Sequence, residues 1–113
     1  MAISYEEIGA MCVTATAAST AAAGKVCKLD SGGRAANCTA GDRFCGLVLH
    51  VRGGNAAVQV GGFAQVGYTG SVPAMGYTKL SADGSGGVKG DTAGTEYLVA
   101  AVDTVKKTVT ILL

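Results

Sequence analysis

The sequence predicts a single all-β domain, a barrel or a sandwich, on three observations. Short apolar and β-branched segments recur at about 8–12-residue spacing with turn residues between them, which is the rhythm of all-β folds. The chain has 113 residues, of which 18 are Gly and 19 Ala, so about a third of its positions carry a hydrogen or one methyl group. Charged residues make up only 15%, the formal net charge is +1 and the mean hydropathy is +0.37. Low charge with positive hydropathy suits a folded chain and not a solvated coil. One domain is the limit at this length. So many small residues imply a thin core, with part of the stability drawn from a partner or from further copies.

Residues 1–23 read as an N-terminal arm followed by an Ala/Thr-rich segment, and residues 24–113 as the β domain. Ser4-Tyr5-Glu6-Glu7 fits the S-x-x-E capping pattern, but Gly9 limits any helix to one turn. The same residues also suit an extended arm. Met11–Thr16 is β-branched enough for a strand. Ala17–Ala23 has no large apolar residue to dock a helix, so it reads as a loop or weak strand, with a helix as the lesser alternative. Lys25–Leu29 is a short alternating strand, followed by the turn Asp30-Ser31-Gly32-Gly33. Phe44–Val51 carries the strongest strand signal, and Arg52-Gly53-Gly54-Asn55 is a hairpin turn. Ala57–Val60 alternates, Gly61-Gly62 marks a bulge or sharp bend, and Phe63–Tyr68 continues. The connection 69–76 holds the only proline, Pro73. Strands follow at Tyr77–Leu80, Tyr97–Val102 and Thr108–Leu113, with turns at 84–87 and 103–107.

Several function classes find no footing in this sequence. A near-neutral charge gives no electrostatic footprint for direct nucleic-acid binding. No run of 18 apolar residues suggests a membrane helix. The first ten residues hold two acids and no basic stretch, unlike a signal peptide. Cys12, Cys27, Cys38 and Cys45 stand 14, 10 and 6 residues apart, so no C-x-x-C motif is present. They read as reduced thiols acting as small hydrophobes. His50 is the only histidine and reads as a strand residue; with scattered acids it offers no metal site. No nucleophile elbow, phosphate loop or Ser-His-Asp context occurs. The expectation is therefore a non-enzyme without metal or cofactor.

Two stretches echo each other. Lys28-Leu29, Ser31-Gly32-Gly33 and Cys38-Thr39-Ala40-Gly41-Asp42-Arg43-Phe44 recur as Lys79-Leu80, Ser85-Gly86-Gly87 and Asp91-Thr92-Ala93-Gly94-Thr95-Glu96-Tyr97. The offsets are 51, 54 and 53 residues. A structural repeat of this kind implies two similar β units closing on one core, with Phe44 and Tyr97 as plugs at matching ends.

The order of these segments carries a resemblance. Gly24–Leu29, Ala40–Val48, Val58–Phe63, Tyr68–Ser71, Gly76–Gly84 and Tyr97–Asp103 together resemble the head-decoration, or capsid-cement, proteins of tailed bacteriophages. The resemblance covers most of residues 20–113 and rests on Gly-punctuated strands. It implies a compact β-barrel or β-tulip that forms homotrimers on the outer capsid surface of a virion. Such a protein is made in the bacterial host cytoplasm and binds and clamps the major capsid protein. It has no catalytic residues. On this reading Ile3, Tyr5 and Ile8 of the arm contact the shell or a neighbouring subunit. The connection bearing Tyr68, Pro73, Met75 and Tyr77 is a second contact candidate, since Tyr and Met favour interfaces. The alternative is another virion surface module, such as a head-fibre base or a glycan-binding β domain. The absence of Trp and the count of only six aromatics weigh against a sugar site.

Overall fold

The computed structural model describes residues 10–113, which form ten strands and no helix. They are β1 (Met11–Thr16), β2 (Val26–Leu29), β3 (Ala35–Asn37), β4 (Gly46–Arg52), β5 (Asn55–Gly61), β6 (Phe63–Gly67), β7 (Gly76–Ala82), β8 (Val88–Gly90), β9 (Thr95–Asp103) and β10 (Thr108–Leu112). Two five-stranded antiparallel sheets result, in the orders β1-β5-β4-β2-β3 and β6-β10-β9-β7-β8. The second order is the first with five added to every strand, so the chain is two copies of one topology. One isolated parallel bridge joins the outer strands of each unit, Ala17 to Ala35 and Tyr68 to Val88. No continuous ladder closes either sheet into a barrel.

The match extends to irregularities. Leu49 is an extra residue in β4 between Val48, opposite Val58, and His50, opposite Ala57. Ala100 is the same extra residue in β9, between Val99, opposite Ile111, and Ala101, opposite Thr110. The turns match as well. Asp30 Oδ1 accepts the N–H groups of Gly32 and Arg34, both at 2.9 Å. Asp83 Oδ1 accepts those of Ser85 and Gly87 at 2.7 and 3.1 Å. The aspartate fixes the turn, so Ser31 aligns with Gly84 and not with Ser85, one residue away from the sequence alignment.

Eight of the strands lie where the sequence places them, their ends within two residues of the expected bounds. β3 and β8 are additions: three residues are too few to show alternation. They are the return strands after the two Asp turns. Ala17–Ala23 is a bridge followed by turns, and the first sheet starts at Met11, within the segment read as arm and Ala/Thr stretch. The Gly61-Gly62 bend is where the chain leaves the first sheet for the second. Gly62 has φ +81°, a conformation that favours glycine. Buried Gln59 holds that corner, its Nε2 donating to the carbonyls of Gly61 (3.1 Å) and Phe63 (2.8 Å).

The main core mixes both units. Val26, Cys38, Phe44 and Leu47 of the first pack with Ala64, Val66, Leu80, Val88, Val99, Val109 and Ile111 of the second. A smaller cluster of Cys27, Ala35, Val48, Ala56 and Val58 lies wholly in the first unit. Ala15 and Ala17 pack against it, so this part of the Ala-rich region does contribute to a core. Phe44 and Tyr97 do not plug separate ends. Their rings stack on each other, with centroids 4.6 Å apart and planes 10° apart.

Candidate functional site

The two stacked rings border a cleft of about 420 Å³, whose walls include Lys28, Arg43, Cys45 and Leu113. β2 and β4 build it. They pair antiparallel through Val26–Leu47 and Cys27–Gly46, which brings Lys28 and Cys45 to one margin. Gly46 is required there. A Cβ on it would run into the Gln59 carbonyl oxygen and the Val58 side chain, so any side chain would push β4 away from β5. The Tyr97 hydroxyl donates to the Phe44 carbonyl at 3.1 Å, tying β9 to the segment that enters β4.

Lys28 Nζ lies 2.7 Å from Asp42 Oδ2. The same oxygen accepts the Thr39 N–H and hydroxyl, both at 2.9 Å. The Lys28 ammonium, helped by these Thr39 donors, holds the Asp42 carboxyl down to about 2, and the pair holds Lys28 above its ordinary range. Burial pushes the Tyr97 phenol up, opposed by Arg43 beside it.

The cysteines divide into two kinds. Cys27 and Cys38 are buried; Cys12 on β1 and Cys45 before β4 are exposed. The expectation of four small hydrophobes therefore holds for the first two only. Cys12 faces outward on an edge strand, and Cys45 precedes the buried start of β4. Cys45 donates its backbone N–H to the Cys27 carbonyl at 2.8 Å. The Cys27 thiol beside it and the Leu29 and Cys45 N–H groups favour the ionised Cys45 sulfur. These donors pull the Cys45 thiol well below its ordinary range. The same contact, with burial, pushes Cys27 up. Burial also raises Cys38 to about 11. The arrangement places one easily ionised, accessible thiol against one protonated, buried thiol. Nothing in the Cys spacing announces this pair, because the strand pairing that joins them is visible only in the fold.

The contact residues expected from the sequence do not gather at this cleft. Ile3, Tyr5 and Ile8 lie outside the described residues. Tyr68 is 5% exposed and belongs to the main core, and Pro73 is buried too, so neither presents a surface. The chain bridges Tyr68 to Val88, which turns its ring inward. Met75 and Tyr77 are 62% and 71% exposed, and Val72 beside them is also exposed.

His50 is exposed on β4. Among the described residues no three His, Cys, Asp or Glu side chains converge as a metal site. A second, shallower cleft lies at Thr78, Lys79, Gly90, Asp91 and Thr92. There Asp91 accepts the Ser81 hydroxyl at 2.8 Å and the Ala93 N–H at 2.9 Å, as a turn-fixing residue does. No helix among the described residues is long and apolar enough to cross a membrane. Compared with known proteins, the chain matches no family model, no curated protein and no solved structure.

Proposed function

We propose that the protein is a structural virion component that binds the outer surface of a phage capsid and stabilises contacts between major capsid subunits. One observation carries the reading most, and the internal repeat supplies its control. Val13 on β1 faces Val58, as Ala64 on β6 faces Ile111, so the two occupy equivalent places. Ala64 is 2% exposed and Val13 46%, with Met11 on the same edge strand at 63%. The first unit thus keeps open an apolar edge that the second unit closes. Leaving large apolar side chains in water costs about 25 cal/mol per Å² relative to burial, so such an edge suits a surface that is covered in an assembly.

In this reading Ile3, Tyr5 and Ile8, which precede that edge in the sequence, contact the shell. Met75 and Tyr77 supply a second contact, and β1 extends a neighbouring sheet by strand addition. The barrel or tulip form and the trimer belong to the same proposal. The test is co-sedimentation of the purified chain with capsids of the phage whose genome encodes it. Saturable binding that weakens in V13T and Y77S supports the proposal. Failure of the wild-type chain to bind those capsids refutes it. Binding to a glycan array without capsid association assigns the surface-module alternative instead.

A further inference from the structure

We propose that Cys45 and Cys27 form a disulfide-exchanging pair, in which Cys45 is the entry thiol for small anionic disulfides and Cys27 the resolving thiol. The inference does not rest on the capsid reading.

Three structural facts converge on it. The first is juxtaposition. Cys27 is registered opposite Gly46, and the preceding Cys45 donates its N–H to the same Cys27 carbonyl at 2.8 Å, which holds Cys45 next to Cys27 across adjacent strands about 5 Å apart. The second is division of access. Cys45 is exposed on a cleft, while Cys27 is 1% exposed and does not line that cleft. The third is the cleft. Arg43 and Lys28 line it, and Lys28 is already paired with Asp42. Arg43 therefore offers the cleft's cation to a carboxylate-bearing ligand. The ordering is physical: the thiolate is the nucleophile, and the donors around the Cys45 sulfur favour the thiolate there.

The exchange balances with oxidised glutathione as the oxidant. The Cys45 thiolate attacks one glutathione sulfur. A Cys45–glutathione bond forms, the glutathione S–S bond breaks, and the first glutathione leaves as thiolate. The Cys27 thiol gives its proton to solvent and attacks the Cys45 sulfur. The internal S–S bond forms and the second glutathione leaves. Two protein thiols lose two electrons, both gained by the glutathione sulfurs, and their protons end on the released thiols.

The experiment incubates the reduced full chain with oxidised glutathione and follows free thiols, intact mass and peptide linkage. The expected product has lost two of its four thiols, carries no adduct, and yields a Cys27–Cys45 linked peptide. C27S is expected to stop at a stable glutathione adduct on Cys45, and C45S to gain no internal bond. C38S, which lies outside the pair, reacts as the wild type. R43A is expected to slow the reaction with oxidised glutathione while leaving that with uncharged hydroxyethyl disulfide unchanged. Exposed Cys45 tolerates serine, so a folded C45S keeps the test valid if C27S fails to fold. Modification of Cys12 alone, or a wild-type adduct on Cys45 that never resolves, overturns the pair. An equal effect of R43A on both disulfides overturns the role given to the cleft.

Discussion

The Phe44–Tyr97 stack is the seam between the two units, and its contribution can be measured directly. Replacing each ring by Leu keeps an apolar side chain but removes ring stacking, and Y97L also removes the hydroxyl bond to the Phe44 carbonyl. A stacked aromatic pair adds about 0.5–1.5 kcal/mol beyond the area it buries. A neutral hydrogen bond adds a further ~0.5–1.5 kcal/mol net, and this is lost in Y97L whichever residue stands at 44. The coupling energy of the F44L, Y97L, double-mutant cycle is therefore expected near the stacking value alone, about 1 kcal/mol. Independent sites add to within roughly 0.3–0.5 kcal/mol, so this coupling is resolvable by urea denaturation. Truncation to F44A goes further and costs about 3–5 kcal/mol, because the ring is buried. Against a typical domain stability of about 5–15 kcal/mol, F44A sits near the unfolding threshold. Since the main core contains residues of both units, wild-type unfolding is expected as one transition. Additive Leu variants would show that the units are held together elsewhere, and a two-step wild-type transition that they unfold separately.

Glycine positions give a contrasting pair. G46A is expected to cost about 1–3 kcal/mol, because its Cβ meets a carbonyl that cannot move aside without breaking the β4–β5 ladder. G90A meets nothing within 4 Å and has no unusual φ, so thermal melting is expected to show no loss, or a gain of about 0.4–1 kcal/mol. Acid stability reports the Lys28–Asp42 pair. The Asp42 carboxyl is depressed in the folded state, so its contribution is present above the ordinary carboxylate pKa near 3.8 and is lost as pH falls towards about 2. D42N is expected to flatten the melting temperature against pH in that window, with its loss relative to wild type largest near neutrality and smallest near pH 2. Q59L is expected to destabilise the β5–β6 corner through the loss of both Gln59 amide hydrogen bonds, with hydrogen exchange speeding first at Gly61–Phe63.

What the sequence made legible follows from what its residues can encode locally. Alternation or a β-branched, apolar run marked each strand of four or more residues, and Gly-Gly marked the β4–β5 turn and the crossing between sheets. β3 and β8 escaped because three residues carry no period. The echo itself held the missing signal. Ala35–Asn37 and Val88–Gly90 stand at the same distance after their Asp turns, so aligning on Asp30 and Asp83 exposes both. Tyr68 and Pro73 were read as contacts from residue type alone, and the burial of Tyr68 in the main core depends on long-range packing that no local pattern shows. The cleft was invisible for the same cause: Cys27 and Cys45 meet only because β2 and β4 pair across the intervening turns.

The repeat also separates what the fold needs from what this chain adds to it. Read through the β2–β3 and β7–β8 pairings, Cys27 takes the place of Leu80, and Ala35 that of Val88. A scaffold built twice shows that a large aliphatic side chain satisfies the position Cys27 occupies. The thiol there is therefore not a packing requirement. The same reasoning applies to the open edge, where Ala64 shows that the topology can bury the place held by exposed Val13. All four cysteines and the open edge fall in the first unit, while the larger share of the main core falls in the second. Two copies under one structural demand have diverged at places where the fold did not force them to. Those places, and not the shared glycines and turn aspartates, are where we propose that the chemistry and contacts of this protein lie.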